Sequence, residues 1–238
     1  MVGGESAGGG LCAAVCIRAR DEGAVSVAFQ MPLYPMLDDR DTASSRDNHG
    51  RVWNTRRNHL AWRLYLRGTD RASLSPYAAP ARLTDFSGLP PAYSFVGDGE
   101  PFYAETVRYF EQLRAAGIPA ELDVYHTDLH AFDMLEPSAA LSGEAAGKFH
   151  AHFAAAQARF FAPQSGQKLE LIAFLPQAGQ SQPEPAGAAG LDCSNIGATA
   201  PLVIFITPPI APSVTPSPAI SPRALPPPFE PIWPRPAA

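Results

Sequence analysis

The segment Gly4–Gly8 reads Gly-Glu-Ser-Ala-Gly and places Ser6 just before two further glycines and an apolar stretch. In a G-x-S-x-G pattern, small residues let the backbone pass through a strained strand-to-helix turn that exposes the serine hydroxyl. The helix that follows directs its positive end towards the serine, which favours negative charge developing on an acyl group. The pattern predicts a nucleophilic serine, although such glycine-rich stretches are also typical of flexible, solvated termini.

An acid and a histidine follow this serine along the chain. Asp98 and Glu100 come directly after a predicted strand at Ala92–Gly97, and His130 lies shortly after another at Ala120–Tyr125. The order serine, acid, histidine is typical of α/β-hydrolases. Because each candidate follows a different strand, all three are expected to meet at one edge of a parallel sheet.

The elements that must hold these residues alternate between helices and strands. In chain order we predict a helix at Leu11–Arg20, a strand at Ala24–Met31, a helical stretch at Asn54–Arg67, a strand at Ala92–Gly97, a helix at Ala104–Ala116, a strand at Ala120–Tyr125 and a helix at Glu144–Phe161. This alternation predicts an α/β fold with a parallel sheet.

Proline content divides the chain. Of the 26 prolines, 17 lie in residues 163–238, where charged residues are sparse. Because proline sustains neither helix nor central strand, we expect residues 163–238 to form a disordered, low-complexity tail and residues 1–162 to carry the fold. Within the tail, Pro201–Thr207 (PLVIFIT) is strand-like, and PxxP spacings could bind an aromatic groove of a partner.

Composition excludes several classes of function. The net charge of −5 gives no reason to expect binding to nucleic acid or to an anionic membrane surface. No apolar run is long enough to span a membrane, and the amino terminus lacks the features of a signal peptide. Three cysteines do not make a disulfide framework and point to a reducing compartment. We therefore expect a soluble, cytoplasmic protein.

The sequence His126-x-Asp128-x-His130 contains residue types that bind metals. No cysteine or histidine pair of matching spacing accompanies it, so we interpret Asp128 as part of the loop that presents His130. No metal and no cofactor are expected.

Four segments, GESAGGGLCAAV, LYPMLDDR, SGLPPAYSFVGDGEPF and YHTDLHAFD, resemble, in this order, the carboxyl-terminal half of hormone-sensitive-lipase-like α/β-hydrolases, a group of bacterial esterases. The resemblance runs from about Gly3 to Phe161. It implies a serine carboxylic ester hydrolase that cleaves a small acyl ester through an acyl-enzyme.

The resemblance also implies a role for each residue. Ser6 matches the nucleophile and His130 the general base, while the backbone N–H of Ala7 would donate to the oxyanion. The acid falls at Glu100, where most of the family has aspartate, and glutamate can also orient an imidazolium. Glu105 and Asp98 remain alternatives for the acid.

The sequence departs from the family before the serine. No His-Gly-Gly-Gly motif is present, and Met1–Gly3 is expected to be too short for the strand that enters the turn. By the family's topology only the last three of eight strands would remain, and the strand at Ala24–Met31 would be an exposed edge through which the chain self-associates.

Two alternatives to an esterase therefore stay open. One is a truncated, catalytically inactive hydrolase remnant, because a missing oxyanion donor costs roughly 10²–10³ in rate. The other is an interaction protein that acts through its proline-rich tail.

Overall fold

The structure, a computed structural model, describes residues 1–23, 25–160 and 204–206. The predicted boundary between residues 162 and 163, and the PxxP spacings of the tail, lie outside the described residues.

The described chain forms a parallel sheet with helices on both faces. The strands are β1 (Val2–Glu5), β2 (Gln30–Leu33), β3 (Ala92–Gly97), β4 (Ala120–Tyr125) and β5 (Ile204–Ile206). The α-helices are α1 (Ala7–Glu22), α2 (Thr55–Tyr65), α3 (Tyr103–Ala115), α4 (Phe132–Leu135) and α5 (Ala140–Phe160), with 3₁₀ turns at Arg71–Ser73 and Pro80–Arg82. The strand order is β4-β3-β2-β1-β5 and every pair is parallel, which confirms the predicted α/β fold.

Strands β3 and β4 have the bounds predicted from the sequence. They pair without interruption from Ala92 opposite Ala120 to Gly97 opposite Tyr125. All six residues of β3 are buried, as expected for a strand covered on both faces. One face packs on α1 and α3 through Ile17 and Phe110, and the other packs on α4 and α5.

The prediction of a strand at Ala24–Met31 is wrong in its bounds. β2 occupies Gln30–Leu33, and Val25–Phe29 is not a strand. Val27 and Phe29 are apolar because they pack against the two core clusters, so their hydrophobic pattern reflects burial without strand pairing.

Pro32 lies inside β2, although proline is usually excluded from central strands. Ladder bonds flank it, because the amides of Gln30 and Tyr34 donate to carbonyl oxygens of the neighbouring β3 segment at 2.9 and 3.1 Å. The Ser94 hydroxyl donates to the Pro32 carbonyl at 2.5 Å. In the described chain, β2 and β3 share only the register pair Gln30–Ala92.

The prediction of three strands with an exposed edge at Ala24–Met31 is also wrong. Val2–Glu5 does form a strand, and it pairs with all four residues of β2. β2 therefore lies between β1 and β3 and offers no free edge for self-association. Within the predicted strand-like segment Pro201–Thr207, the described residues Ile204–Ile206 form β5, which pairs with the other side of β1. Four residues suffice for β1 because both of its sides are paired.

Helix α1 begins at Ala7, four residues before the predicted start at Leu11. Glycines are poor helix formers, but here they permit close packing on the loop after β2. A Cβ atom built on Gly9 would lie 2.9 Å from the Leu33 carbonyl oxygen, and one on Gly10 would lie 2.1 Å from that of Met36. These two glycines hold the start of α1 against the chain that follows β2.

Gly10→Ala is therefore expected to lower the free energy of unfolding by about 3 kcal/mol, since the methyl group would meet backbone that cannot rotate away. The matched control is Gly143→Ala in α5, where a Cβ meets nothing within 4 Å. That substitution is expected to raise stability by up to about 1 kcal/mol. Urea denaturation of both variants measures the difference, and equal midpoints would contradict it.

Candidate active site

Ser6 lies at the turn between β1 and α1 and has a strained backbone, with φ 55° and ψ −118°. Its N–H donates to the Leu33 carbonyl at 3.0 Å, and its carbonyl accepts from Gly10 at 3.1 Å and from Met36 at 3.0 Å. Both peptide groups of Ser6 are thus tied to the helix it starts and to the end of β2. This is the strand-to-helix turn that the glycine pattern predicts.

The structure brings Ser6, Glu100 and His130 together at the carboxyl edge of the sheet. His130 Nε2 lies 2.9 Å from Ser6 Oγ, and His130 Nδ1 lies 2.5 Å from Glu100 Oε2. The side chains of Glu100 and His130 are 1% and 5% exposed. The serine, the imidazole and the carboxylate therefore form a continuous chain of hydrogen bonds that is buried at His130 and Glu100 and partly exposed at Ser6.

The alternative acids lie elsewhere. Asp98 accepts from the exposed His126 at 2.9 Å, away from His130. Glu105 is buried in α3, where one carboxyl oxygen accepts from the backbone amides of Leu37 and Asp38 at 2.6 and 3.1 Å. Burial raises the pKa of Glu105 well above its usual value. Its position points to a role in fixing the loop after β2.

Three aromatic rings surround His130. Tyr34 and Phe102 contact it edge-on, with centroids 5.2 and 5.1 Å away, and Trp53 is tilted at 6.2 Å. Sequence reasoning did not single out any of the three. Tyr34 and Phe102 lie inside segments that carry the family resemblance, which is the signal that could have found them, whereas Trp53 lies in an irregular region without such a signal.

Backbone strain is concentrated at this site. In the described part of the chain, the non-glycine residues with positive φ are Ser6, Tyr34 and Ala131, at 55°, 32° and 57°. Ser6 and Tyr34 contact His130, and Ala131 follows it in the chain. Such conformations cost of order 1–3 kcal/mol each and persist only where the surroundings hold them.

Further carboxyl groups lie close to the histidine. Burial raises the pKa of Glu100, and attraction to His130 opposes that rise. Glu5, the residue before Ser6, has its pKa raised to about 7 by burial and by repulsion from Asp133. Burial also raises the pKa of Asp133. Sequence reasoning did not single out Asp133.

The raised pKa of Glu5 predicts a loss of stability with rising pH. The unfolded carboxyl titrates near 4.5 and the folded one at about 7, so the folded state binds more protons between these values. The free energy of unfolding must then fall as pH rises through this window. Glu5→Gln is expected to flatten the dependence, as measured by urea denaturation at about pH 5 and about pH 8. Glu136→Gln, an exposed control, should leave it unchanged, and an equal slope in all three proteins would contradict the assignment.

Ala7, the first residue of α1, is exposed beside Ser6. Its amide precedes the first intrahelical bond, which Gly10 donates to the Ser6 carbonyl. An apolar cavity of about 190 Å³ begins at Ala7 and is lined further by Met36, Trp62 and Tyr65. The helix start therefore faces a space that could hold an apolar group.

His126 bonds to Asp98, whereas His130 bonds to Ser6. The two histidines therefore do not come together with Asp128 as metal ligands. Within the described residues no group of three or more histidine, cysteine, aspartate or glutamate side chains could hold a metal ion. None of the described helices has the length and apolar content needed to cross a bilayer.

The fold and the serine turn define an α/β-hydrolase. A family model described as alpha/beta hydrolase fold matches residues 1–134, and the chain belongs to this family. The resemblance to its hormone-sensitive-lipase-like members is thereby confirmed.

Several relatives are esterases. The chain is 33% identical over 133 residues to esterase LipI and 34% identical over 161 residues to carboxylic ester hydrolase LipN, both of Mycobacterium tuberculosis. These matches cover 55% and 63% of this chain but only 42% and 43% of the relatives. The chain thus spans less than half the length of these curated relatives.

Solved structures of esterases also match this chain. A bacterial heroin esterase matches with a TM-score of 0.58 and 38% identity over 61% of this chain and 48% of its own. Esterase LipW of Mycobacterium marinum matches with a TM-score of 0.60 and 32% identity over 68% of this chain and 49% of its own.

Proposed function

We propose that this protein is a serine carboxylic ester hydrolase that works through an acyl-enzyme. The observation that carries the proposal is the hydrogen-bond chain from Ser6 through His130 to Glu100, which starts at a strained serine on a helix N-terminus. The esterase names of its relatives support the same reaction class.

In the first half-reaction, Ser6 Oγ attacks the ester carbonyl carbon while His130 Nε2 takes the hydroxyl proton. Glu100 accepts from Nδ1, which keeps Nε2 free to act as the base and stabilises the imidazolium that forms. His130 then protonates the departing alkoxide. In the second half-reaction it activates water, which releases the acid and restores Ser6.

The tetrahedral intermediate carries a negative oxygen that needs donors. The backbone N–H of Ala7 is the proposed donor, because it lies at the start of α1 where no intrahelical partner exists. The positive end of the α1 dipole favours the same charge. One such donor contributes about 3–4 kcal/mol of transition-state stabilisation.

The proposed substrate is a small acyl ester. The apolar cavity that begins at Ala7 and runs along α1 has a volume of about 190 Å³, enough for a short hydrocarbon chain, and Ser6 and His130 are not among its lining residues. Its lining by Met36, Trp62 and Tyr65 favours an apolar group over a charged one.

The test is hydrolysis of p-nitrophenyl butyrate by the purified chain, in parallel with labelling by a fluorophosphonate probe. Serine-dependent turnover together with labelling at Ser6 is the expected result. Labelling without turnover would show a reactive serine that does not complete the cycle. Neither labelling nor turnover would overturn the proposal and favour the alternative of an inactive hydrolase remnant.

A further inference from the structure

The carboxylate of Glu100 is held by few contacts of its own. Its Oε2 lies 2.5 Å from His130 Nδ1, while its Oε1 is buried and has no hydrogen-bond partner among the described residues. A glutamate side chain with one partner can still turn about its own bonds. The position of the carboxylate beside His130 therefore depends on how firmly the backbone around Glu100 is held.

Two side chains from a distant loop hold this backbone on either side of Glu100. Asn48 Nδ2 donates to the carbonyl oxygen of Gly99 at 2.9 Å, and the Ser44 hydroxyl donates to that of Pro101 at 2.7 Å. Gly99 is the residue directly before Glu100, and Pro101 is the residue directly after it. The two hydrogen bonds therefore fix the chain on both sides of the acid.

Ser44 also provides a hydrogen-bond acceptor for the start of α3. Phe102, the residue before this helix, makes no side-chain cap, and the amide of Ala104 in the first turn donates instead to the Ser44 hydroxyl at 2.9 Å. A hydroxyl can donate and accept at the same time, so Ser44 joins Pro101 to the first turn of α3. Phe102, whose ring contacts His130, lies between these two bonds.

Residues 42–50, here called the bracing loop, are themselves tied to the start of α2. The Thr55 hydroxyl donates to the Ser45 carbonyl at 2.6 Å and accepts from the Asn48 amide at 2.7 Å. Asn48 Oδ1 accepts from the Gly50 amide at 2.9 Å, which closes the turn around it. Both bracing side chains therefore come from a loop that is held by its own hydrogen bonds.

A further contact ties the chain before Glu100 to the loop that leads to His130. The amide of Gly99 donates to the Thr127 carbonyl at 3.0 Å. A Cβ atom built on Gly99 would lie 2.9 Å from Asp128 Cβ, so the two loops approach each other closely. The distance between Glu100 and His130 is thus set by backbone contacts between their loops and by the side chains of the bracing loop.

We propose that Ser44 and Asn48 are positioning residues for the acid, because their hydrogen bonds to the chain around Glu100 hold its carboxylate against His130 Nδ1. This inference rests on the proposed function in that Glu100 orients the base there. Within the described chain neither side chain hydrogen-bonds to Glu100 or His130 itself, so both act through the backbone. When either bond is lost, the chain gains freedom and the carboxylate spends less time at bonding distance from the imidazole.

The first test measures how fast the Nδ1 proton of His130 exchanges with solvent. It uses NMR of the intact chain with ¹⁵N-labelled histidine and needs no ester turnover; the signal is assigned by its absence in His130→Asn. In the wild type this proton is expected to exchange slowly, since it lies in a buried bond to Glu100. Ser44→Ala and Asn48→Ala are each expected to raise the exchange rate roughly tenfold, the effect of one lost hydrogen bond.

The matched control is Ser87→Ala. The Ser87 hydroxyl also supports a turn, by donating to Asp85 at 2.6 Å, but this turn precedes β3 and lies at the edge of the sheet opposite to the site. The exchange rate should stay at the wild-type value in this variant and in Ser44→Thr, which keeps a hydroxyl at the bracing position.

Two outcomes of this test would overturn the inference. One is a purely structural effect, in which Ser44→Ala and Asn48→Ala lower the urea midpoint but leave the exchange rate of the folded protein unchanged. The other is a wild-type His130 proton that exchanges as fast as the Nδ1 proton of the exposed His126, because the carboxylate would then not be held.

The second test measures p-nitrophenyl butyrate hydrolysis. Ser44→Ala and Asn48→Ala are expected to lose roughly tenfold in kcat with little change in KM, because the base is less well oriented while the apolar cavity is unchanged. Wild-type kcat in both variants would overturn this inference alone. Absence of hydrolysis in every protein, the wild type included, together with faster proton exchange in the two variants would overturn the proposed function and support the positioning role.

Discussion

Replacing Ser6 with alanine is expected to lower ester hydrolysis by roughly 10⁴-fold or more, because no other group takes over from a missing nucleophile. The Ser6 hydroxyl lies 2.9 Å from His130 Nε2, and the turn that presents it is held by backbone bonds to Leu33 and Met36. Those backbone bonds do not involve the hydroxyl, so the fold should persist in Ser6→Ala. The measurement is kcat/KM for p-nitrophenyl butyrate.

The matched control is Ser73→Ala, which removes an exposed hydroxyl that donates to Asp70 far from the site in sequence. This variant is expected to hydrolyse the ester at the wild-type rate. Equal turnover by wild type and Ser6→Ala would mean that another group performs the reaction, and the proposed mechanism would be abandoned. A circular dichroism spectrum of each variant checks that the comparison is between folded proteins.

Replacing Glu100 with glutamine is expected to lower kcat by roughly 10⁴-fold. Glutamine has the same shape, but its amide N–H₂ can donate to His130 Nδ1, which would place the imidazole proton on Nε2. Nε2 could then no longer accept the proton of Ser6, which it approaches at 2.9 Å. The loss would come from the wrong tautomer, with the geometry of the site retained.

Asp98→Asn and Glu105→Gln are the comparisons that decide which acid works. Asp98 pairs with the exposed His126, so its variant should retain activity. Glu105 binds the amides of Leu37 and Asp38, so its variant should change the urea midpoint more than kcat. An inactive Asp98→Asn beside an active Glu100→Gln would refute the assignment of Glu100.

Much of the candidate site could be predicted from the sequence because it depends on strand ends. The bounds of β3 and β4 follow from compact β-branched and aromatic runs, and the residues after such strands must meet at one edge. That rule brings Glu100 and His130 to one edge together with Asp98, and the family resemblance assigns their roles. The choice between Glu100 and Glu105 stayed open because spacing does not show which side chain faces the histidine and which faces the loop after β2.

The remaining features depend on packing between distant segments. β1 could not be predicted because its two glycines have low strand propensity and its partners, β2 and β5, lie further along the chain. β2 was misplaced because a proline normally argues against a central strand, whereas here the amides of Gln30 and Tyr34 on either side of Pro32 keep the pairing to the β3 segment. The edge contact between the rings of Tyr34 and His130 joins two distant segments of the chain, and no local pattern encodes it.

Pro32 thins the ladder between β2 and β3, although the amides of Gln30 and Tyr34 and the hydroxyl of Ser94 still donate hydrogen bonds across it. β1 and β2 share four register pairs and β3 and β4 share six, while one pair joins β2 to β3. The nucleophile Ser6 follows the pair β1–β2, and the base with its acid follows the pair β3–β4. A displacement of the pair β1–β2 relative to the pair β3–β4 would change the 2.9 Å distance between Ser6 Oγ and His130 Nε2. It would leave the contact between His130 and Glu100 intact. Mechanical deformation of the sheet would therefore affect the reaction by changing the distance between the serine hydroxyl and the imidazole.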